Sequence, residues 1–168
     1  RKSSRIEVAR CKIRSGYGVT IGSEVSAGVS DVYIHDIDFF QSDCGIRMKS
    51  SKERGGVIEN IRVENLNMID VQFPFSWIMD WHNEYNRKNS NDLAQMPESW
   101  QAVAEEIPES KQMTKVKDIH IKNVQACLSP GYSLPSRAFD LVAFPEKPIE
   151  DVCFSHCQIT AKEFGRIE

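Results

Sequence analysis

Several features that organise other small proteins are scarce in this sequence. No run of 18 apolar residues occurs among its 168 residues, so no membrane-spanning helix is expected. Neither sign of charge dominates: 21 Lys and Arg stand against 24 Asp and Glu, a net charge of −3. No long basic tract is present, and nucleic acid is left without an electrostatic footprint. The five cysteines, Cys11, Cys44, Cys127, Cys153 and Cys157, are odd in number and hold no C-x-x-C. That argues against a disulfide framework or a zinc knuckle and predicts buried free thiols. No His, Cys and Asp group has ligand spacing, so neither a metal nor another cofactor is expected. With 40% apolar and 27% charged residues the chain is neither disordered nor collagen-like. Its length suits a single domain over residues 1–168 or part of a larger one. It opens Arg-Lys-Ser-Ser without an initiator methionine or signal peptide, so a piece of something longer is expected.

What is present is an internal repeat. Five segments align: Arg5–Ile13, Asp31–Phe39, Asn60–Met68, Asp118–Ala126 and Asp151–Ile159. Each reads polar, apolar, any, apolar, any, polar, apolar, any, apolar. The first apolar pair alternates as in a half-buried strand, and the second follows the same scheme after a polar interruption. The economical reading is a strand, a corner and another strand. Shorter apolar strands, Val19–Ile21, Ile46–Met48 and Phe139–Ala143, lie between the repeats. Short strands at this interval, with few helix signals, predict an all-β parallel β-helix. The starts are separated by 26, 29, 58 and 33 residues, so the longest interval must hold an insertion or an extra coil. The polar corner is assigned to Cys11, Asp36, Asn65, Asn123 and His156. Stacked coils would let these side chains form a ladder. His35 and His120 fall at outward positions and are expected at the surface.

The segment from about 73 to 115 breaks the pattern and is expected to be an irregular aromatic-rich insertion. It holds Trp77, Trp81 and Trp100 with Phe73, Phe75 and Tyr85. Residues 97–107 read as a short helix: proline opens it, acids follow, and Trp100, Val103, Ala104 and Ile107 share one face. The aromatic density favours a sugar-facing wall, with Trp77 and Trp81 as candidate substrate contacts.

Arg47 and Lys49 flank Met48, so both should leave the same outer face of one strand. Two neighbouring cations repel unless an anion lies between them, and a uronic-acid carboxylate is such an anion. Asp43 is a candidate to hold Arg47. Ser23 and Glu24 are further candidates for the groove.

Ser15-Gly-Tyr-Gly-Val-Thr-Ile-Gly-Ser-Glu24 resembles the Gly-His-Gly…Ile-Gly-Ser motif of glycoside hydrolase family 28, the polygalacturonases and rhamnogalacturonan hydrolases. Asp43-Cys-Gly-Ile-Arg-Met-Lys49 resembles that family's Gly-x-Arg-Ile-Lys motif, and Arg54-Gly-Gly-Val-Ile-Glu-Asn-Ile61 its usual sequel. Pro148–Val152 through Thr160-Ala-Lys162 resembles its closing coil. The resemblance implies a right-handed parallel β-helix that hydrolyses galacturonide-type bonds of pectin with inversion, one carboxyl protonating the leaving oxygen and another activating water. It implies pectin oligosaccharides as partners and a secreted, periplasmic or cell-surface location. The family's carboxylates come from Asn-Thr-Asp and Asp-Asp motifs that precede the Gly-His-Gly segment. This sequence contains neither, so it is expected to be the C-terminal half of a family member, silent by itself and supplying substrate-binding residues. Tyr17 stands where the family has the histidine of its catalytic site. A first coil without upstream coils would expose Ile6, Val8 and Ile13, so the missing half or self-association is expected there. The alternatives are a non-catalytic carbohydrate-binding β-helix and a structural solenoid. Arg47, Lys49 and the tryptophans disfavour the structural solenoid.

Overall fold

The structure, a computed structural model, describes residues 1–52, 54–81, 97–99, 101 and 113–168. These residues build a parallel β-solenoid of about five turns. One sheet holds β1 (Ser3–Ala9), β2 (Lys12–Ile13), β4 (Val29–Phe40), β6 (Val57–Ile69), β8 (Lys115–Cys127) and β10 (Glu150–Ile159). The other holds β3 (Val19–Ile21), β5 (Cys44–Lys49), β7 (Phe73–Ile78), β9 (Arg137–Val142) and β11 (Glu163–Ile167). Every pairing between these strands is parallel.

The repeat is the register of the first sheet. Val32 pairs with Ile61 and Ile61 with Ile119, while Ile34 pairs with Val63 and Val63 with Ile121. Each step stacks like upon like inside the coil, and all six side chains are buried. Burying one such side chain is worth about 1.5–3 kcal/mol, so the apolar phase of the repeat fixes the register.

The corners are single residues in the left-handed region. Asp36, Asn65 and Asn123 have φ of 54°, 56° and 54°, and the residues opening each repeat, such as Asp31 and Asn60, do the same at 55° and 53°. Asp and Asn tolerate this conformation better than most side chains. The expected ladder forms: Asn65 Nδ2 donates to Asp36 Oδ1 at 2.9 Å, and Asn123 Nδ2 to Asn65 Oδ1 at 2.8 Å. In the first coil the corner is Arg10, at φ 54°, rather than Cys11. Alignment by backbone puts Arg10 in the sixth place of its repeat.

The longest interval holds an insertion and no extra coil, because β6 pairs directly with β8. The insertion starts later than the sequence indicated. Phe73–Ile78 is the regular strand β7, paired with β5 and β9. Of the expected helix, Glu98, Ser99 and Gln101 are helical, the Gln101 N–H donating to the Pro97 carbonyl at 3.1 Å. Trp100, Val103, Ala104 and Ile107 lie outside the described residues, as does Tyr85. Among the described residues no helix is long and apolar enough to cross a membrane.

Two further expectations are corrected. Only Cys44 is a buried thiol, pushed up to about 11 by burial, while Cys11, Cys127 and Cys153 are exposed and Cys157 is half-buried. Residue type alone cannot see that Cys127 and Cys153 take the outward phase, nor that Cys11 and Cys157 take the inward phase of end coils that cover them incompletely. His35 does point outward but is only 8% exposed. It stacks on Tyr33 with ring centroids 4.1 Å apart, and carboxylates cover both of its ring nitrogens. Nδ1 lies 2.8 Å from Asp36 Oδ2 and Nε2 lies 2.9 Å from Glu7 Oε1. His120 is exposed as expected.

Candidate functional site

The outer face of the second sheet carries one polar residue per coil, flanked by inward apolar ones. Thr20, Arg47, Ser76, Asp140 and Arg166 pair in succession across β3, β5, β7, β9 and β11. Successive strands lie about 4.8 Å apart, so these side chains form a row across the sheet. Met48, between Arg47 and Lys49, is fully buried, and the two cations leave the same face.

Aromatic rings enclose the cations. The Arg47 guanidinium lies 4.6 Å from the Tyr17 ring centroid and 5.3 Å from that of Trp81, and the Lys49 ammonium 3.8 Å from that of Trp81. Tyr17 reaches this position because its loop presses on the next coil. Gly18, at φ 65°, has no room for a Cβ, which would collide with the Gly45 carbonyl. Gly22 abuts the Lys49 carbonyl in the same way. The glycines of the Gly-Tyr-Gly…Ile-Gly segment are therefore required by coil stacking. Trp81 is held by its N–H, which donates to the Ser50 carbonyl at 2.8 Å.

Among the described residues neither Arg47 nor Lys49 forms an ion pair, and none joins Asp43 to Arg47. Lys49 is lowered from its ordinary value by burial and then by the Arg47 charge, with Glu24 pulling the other way. Charge-assisted donors flanked by aromatic rings are chemically suited to an anion.

Of the remaining candidates, Glu24 lies at the edge of this face, its Oε1 3.4 Å from Arg54 Nη2. Ser23 is 4% exposed and donates its hydroxyl to Glu24 Oε1 at 3.0 Å, so it supports Glu24 and does not line the groove. Trp77 belongs to the core. It is fully buried, stacked on Phe154 and edge-on to Phe75. The alternation of β7 points Ser76 outward and Trp77 inward, so Trp77 is not part of a sugar-facing wall.

The sequence reading missed Ser76 and Asp140. Their signal was available in the triplets Ile46-Arg-Met, Phe75-Ser-Trp and Phe139-Asp-Leu, each a polar residue between two apolar ones. Asp140 is engaged: its Oδ1 accepts from Arg166 Nε at 2.6 Å. Arg47, towards the opposite end of the row, has no such carboxylate partner among the described residues.

The sequence model of Glycosyl hydrolases family 28 matches residues 1–95. A "Probable polygalacturonase" of Vitis vinifera is 37% identical over 57 residues, 34% of this chain and 12% of that protein. A "Polygalacturonase" of Ralstonia solanacearum is 36% identical over 63 residues, 35% of this chain and 12% of that protein. An "Endo-polygalacturonase" of Pectobacterium carotovorum subsp. carotovorum is 32% identical over 73 residues, 44% of this chain and 18% of that protein. The chain thus matches less than a fifth of the length of these relatives. The family match covers more than half of the chain, including the Tyr17 loop, β5 with Arg47 and Lys49, and Trp81, and the chain belongs to glycosyl hydrolases family 28.

Proposed function

We propose that this chain supplies the substrate-binding coils of a secreted, periplasmic or cell-surface glycoside hydrolase that cleaves galacturonide-type bonds of pectin with inversion. The observation that carries this reading is the pair Arg47 and Lys49, without a carboxylate partner among the described residues, under Tyr17 and Trp81 on one outer face. A uronate fits it: the carboxylate meets the guanidinium and ammonium, and the apolar face of the sugar lies against the indole. The relatives' names, polygalacturonase in each case, support the same substrate class.

In this reading hydrolysis uses two carboxyl groups about 6.5–9.5 Å apart, one acid and one base. They belong to coils preceding β1, and the chain's own part is to bind and orient the uronate. Tyr17, 59% exposed, faces the site and can donate a hydrogen bond. Further coils, or a second copy, would stack on β1, where Ile6 is 39% exposed beside a cavity of about 280 Å³ lined by Val8, Ile21 and Val32.

Calorimetry of the whole chain with oligogalacturonate tests the site. Arg47→Ala removes a charge-assisted hydrogen bond and should lower affinity by about 10- to 150-fold. Equal affinity of the two proteins sinks the assignment. A second reading, a carbohydrate-binding β-helix without catalysis, draws on Tyr17 standing where the resemblance has histidine. It keeps the binding result and differs only in that a protein including the preceding coils would release no reducing ends from polygalacturonate.

A further inference from the structure

The insertion between β7 and β8 leaves the solenoid and rejoins it at a single residue. Ser50 directly follows Lys49 at the end of β5 and is fully buried. Its N–H donates to the Ile78 carbonyl at 3.0 Å, which keeps β5 and β7 in step. Its carbonyl accepts the Trp81 N–H at 2.8 Å, where the chain leaves β7 for the insertion. Its hydroxyl lies 2.6 Å from that of Thr114, where the chain returns just before β8. The backbone of one residue thus meets the outgoing stem and its side chain the returning one, 64 positions along the sequence.

The direction of these hydroxyl bonds follows from their neighbours. The Gly55 carbonyl can only accept, so the Thr114 hydroxyl gives it its one proton, at 2.7 Å. Ser50 must then donate to Thr114, and the order runs from the Ser50 hydroxyl to the Thr114 hydroxyl to the Gly55 carbonyl. Thr114 is 1% exposed, so both hydroxyls are bonded in a dry place, where an unpaired one would be costly. The base around them is closely packed. Gly22 abuts the Lys49 carbonyl and Gly56 abuts the Val25 carbonyl, each too closely for a Cβ. Met79, between Ile78 and the outgoing stem, is fully buried, and its N–H donates to the Val142 carbonyl at 2.9 Å. On this base stands the Trp81 ring, its centroid 3.8 Å from the Lys49 ammonium and 5.3 Å from the Arg47 guanidinium.

We infer that Ser50 and Thr114 are positioning residues for the cationic patch: their bonded hydroxyls close the neck of the insertion and so hold the Trp81 ring over Lys49. Buried as they are, neither can touch a ligand, and both act through Trp81. With Thr114 fastened to the Ser50 side chain, the stem paired with the Ser50 carbonyl is confined beside it. Without that bond the two stems can part, and the indole is the first large group on the outgoing one. A pair that merely filled space would lower stability when removed and leave the ring in place. The bearing on binding rests on the uronate reading of the patch; the placement of the ring does not.

NMR of the 168-residue chain, without ligand, tests the placement. The Lys49 side chain lies against the face of an indole, whose ring current moves its ε-methylene signals upfield, and Trp81→Ala marks the complete loss of that shift. Ser50→Ala and Thr114→Val should each lose most of it. Thr114→Ser keeps the hydroxyl and should retain it. The signals of buried Ile61 and Ile119 report that each variant is folded, and Ser50→Ala, which leaves the bond from Thr114 to Gly55 intact, is the variant least able to unfold the chain. The inference is overturned if Ser50→Ala keeps the full upfield shift, or if Thr114→Ser loses as much of it as Thr114→Val. Calorimetry with trigalacturonate should then show Ser50→Ala binding about two- to fivefold more weakly, the worth of one cation–π contact at an exposed site. Equal affinity beside a lost shift supports the placement of the ring and counts only against the uronate reading.

Discussion

The two outer faces of the solenoid are built on one backbone scheme and surround their cations differently. On the sheet of β1, β2, β4, β6, β8 and β10, several cations meet carboxylates, although Arg5, Lys12 and Lys122 form no ion pair among the described residues. Glu59 takes Lys2 at 2.6 Å and Lys117 at 3.2 Å, Arg62 Nη2 meets Asp118 at 2.8 Å, and Lys115 meets Glu150 at 2.9 Å. On the sheet of β3, β5, β7, β9 and β11, Arg166 and Arg137 are paired with Asp140 and Glu163, but Arg47 and Lys49 meet only rings among the described residues. What sets Arg47 and Lys49 apart is their rings: two adjacent cations, one of them lowered, under Tyr17 and Trp81 are the arrangement on which the proposed uronate site rests.

The largest expected effect separates the inside of the coil from that face. Trp77→Ala should destabilise the fold by about 3–5 kcal/mol through the cavity it leaves. Its indole N–H has no partner among the described residues, so Trp77→Phe should cost much less. Trp81→Ala should cost under about 1 kcal/mol of stability, yet weaken oligogalacturonate binding by removing a cation–π partner. Denaturant melts paired with calorimetry separate the two. A small stability loss at Trp77 would return that residue to the face.

The next effect is a pH dependence confined to the first face. Both ring nitrogens of His35 sit within hydrogen-bond distance of carboxylate oxygens, so both bonds can be donated only by the imidazolium. The Asp36 bond first, and the Glu7 bond second, raise His35 above its ordinary 6.5. A raised folded value means this stability is fully present below about pH 6.5 and is lost as pH rises through the folded value. Asp36 is lowered, by His35 first and Asn65 second, so its own contribution is present above 3.8 and lost below. Arg10 and Glu64 also lie beside this cluster. His35→Gln should flatten the alkaline part of the stability profile without changing oligogalacturonate affinity at constant pH. An unchanged profile would show that the clamp between β1 and β4 contributes nothing.

The smallest effect is the sharpest control. Glu59→Gln breaks two exposed ion pairs and should cost under about 1 kcal/mol, diminishing in high salt. Arg47→Ala should leave stability unchanged or slightly raised, since Lys49 loses a repelling neighbour. If both substitutions destabilise alike, the faces do not differ in the way argued above.

The coil pattern was legible because its causes are local. Alternating apolar residues bury one side of a strand wherever that strand lies, and Asp or Asn supplies the left-handed corner without help from distant residues. Register followed, since stacked coils must match apolar to apolar. The outward phase of Arg47 and Lys49 was legible for the same reason. The first corner falls on Arg10 rather than Cys11, because counting the repeat from Arg5 puts Arg10 sixth and sets Cys11 opposite Ile37 of the next coil.

What the sequence could not decide was whatever depends on neighbours one coil away. Trp77 and Trp81 look alike in the sequence, and only the pairing of β7 between β5 and β9 places one ring in the core and leaves the other over Lys49. His35 looked like a surface residue until Glu7, from another strand, closed over it. The turn that follows β8 is tied to Asp70, 59 residues away from Ser129. By itself the sequence determined the solenoid, because each strand and corner is set by local side-chain chemistry. Only the stacking of coils decided which side chains share the outer face around Arg47 and Lys49, because those contacts join residues whose separation along the chain carries no local signal.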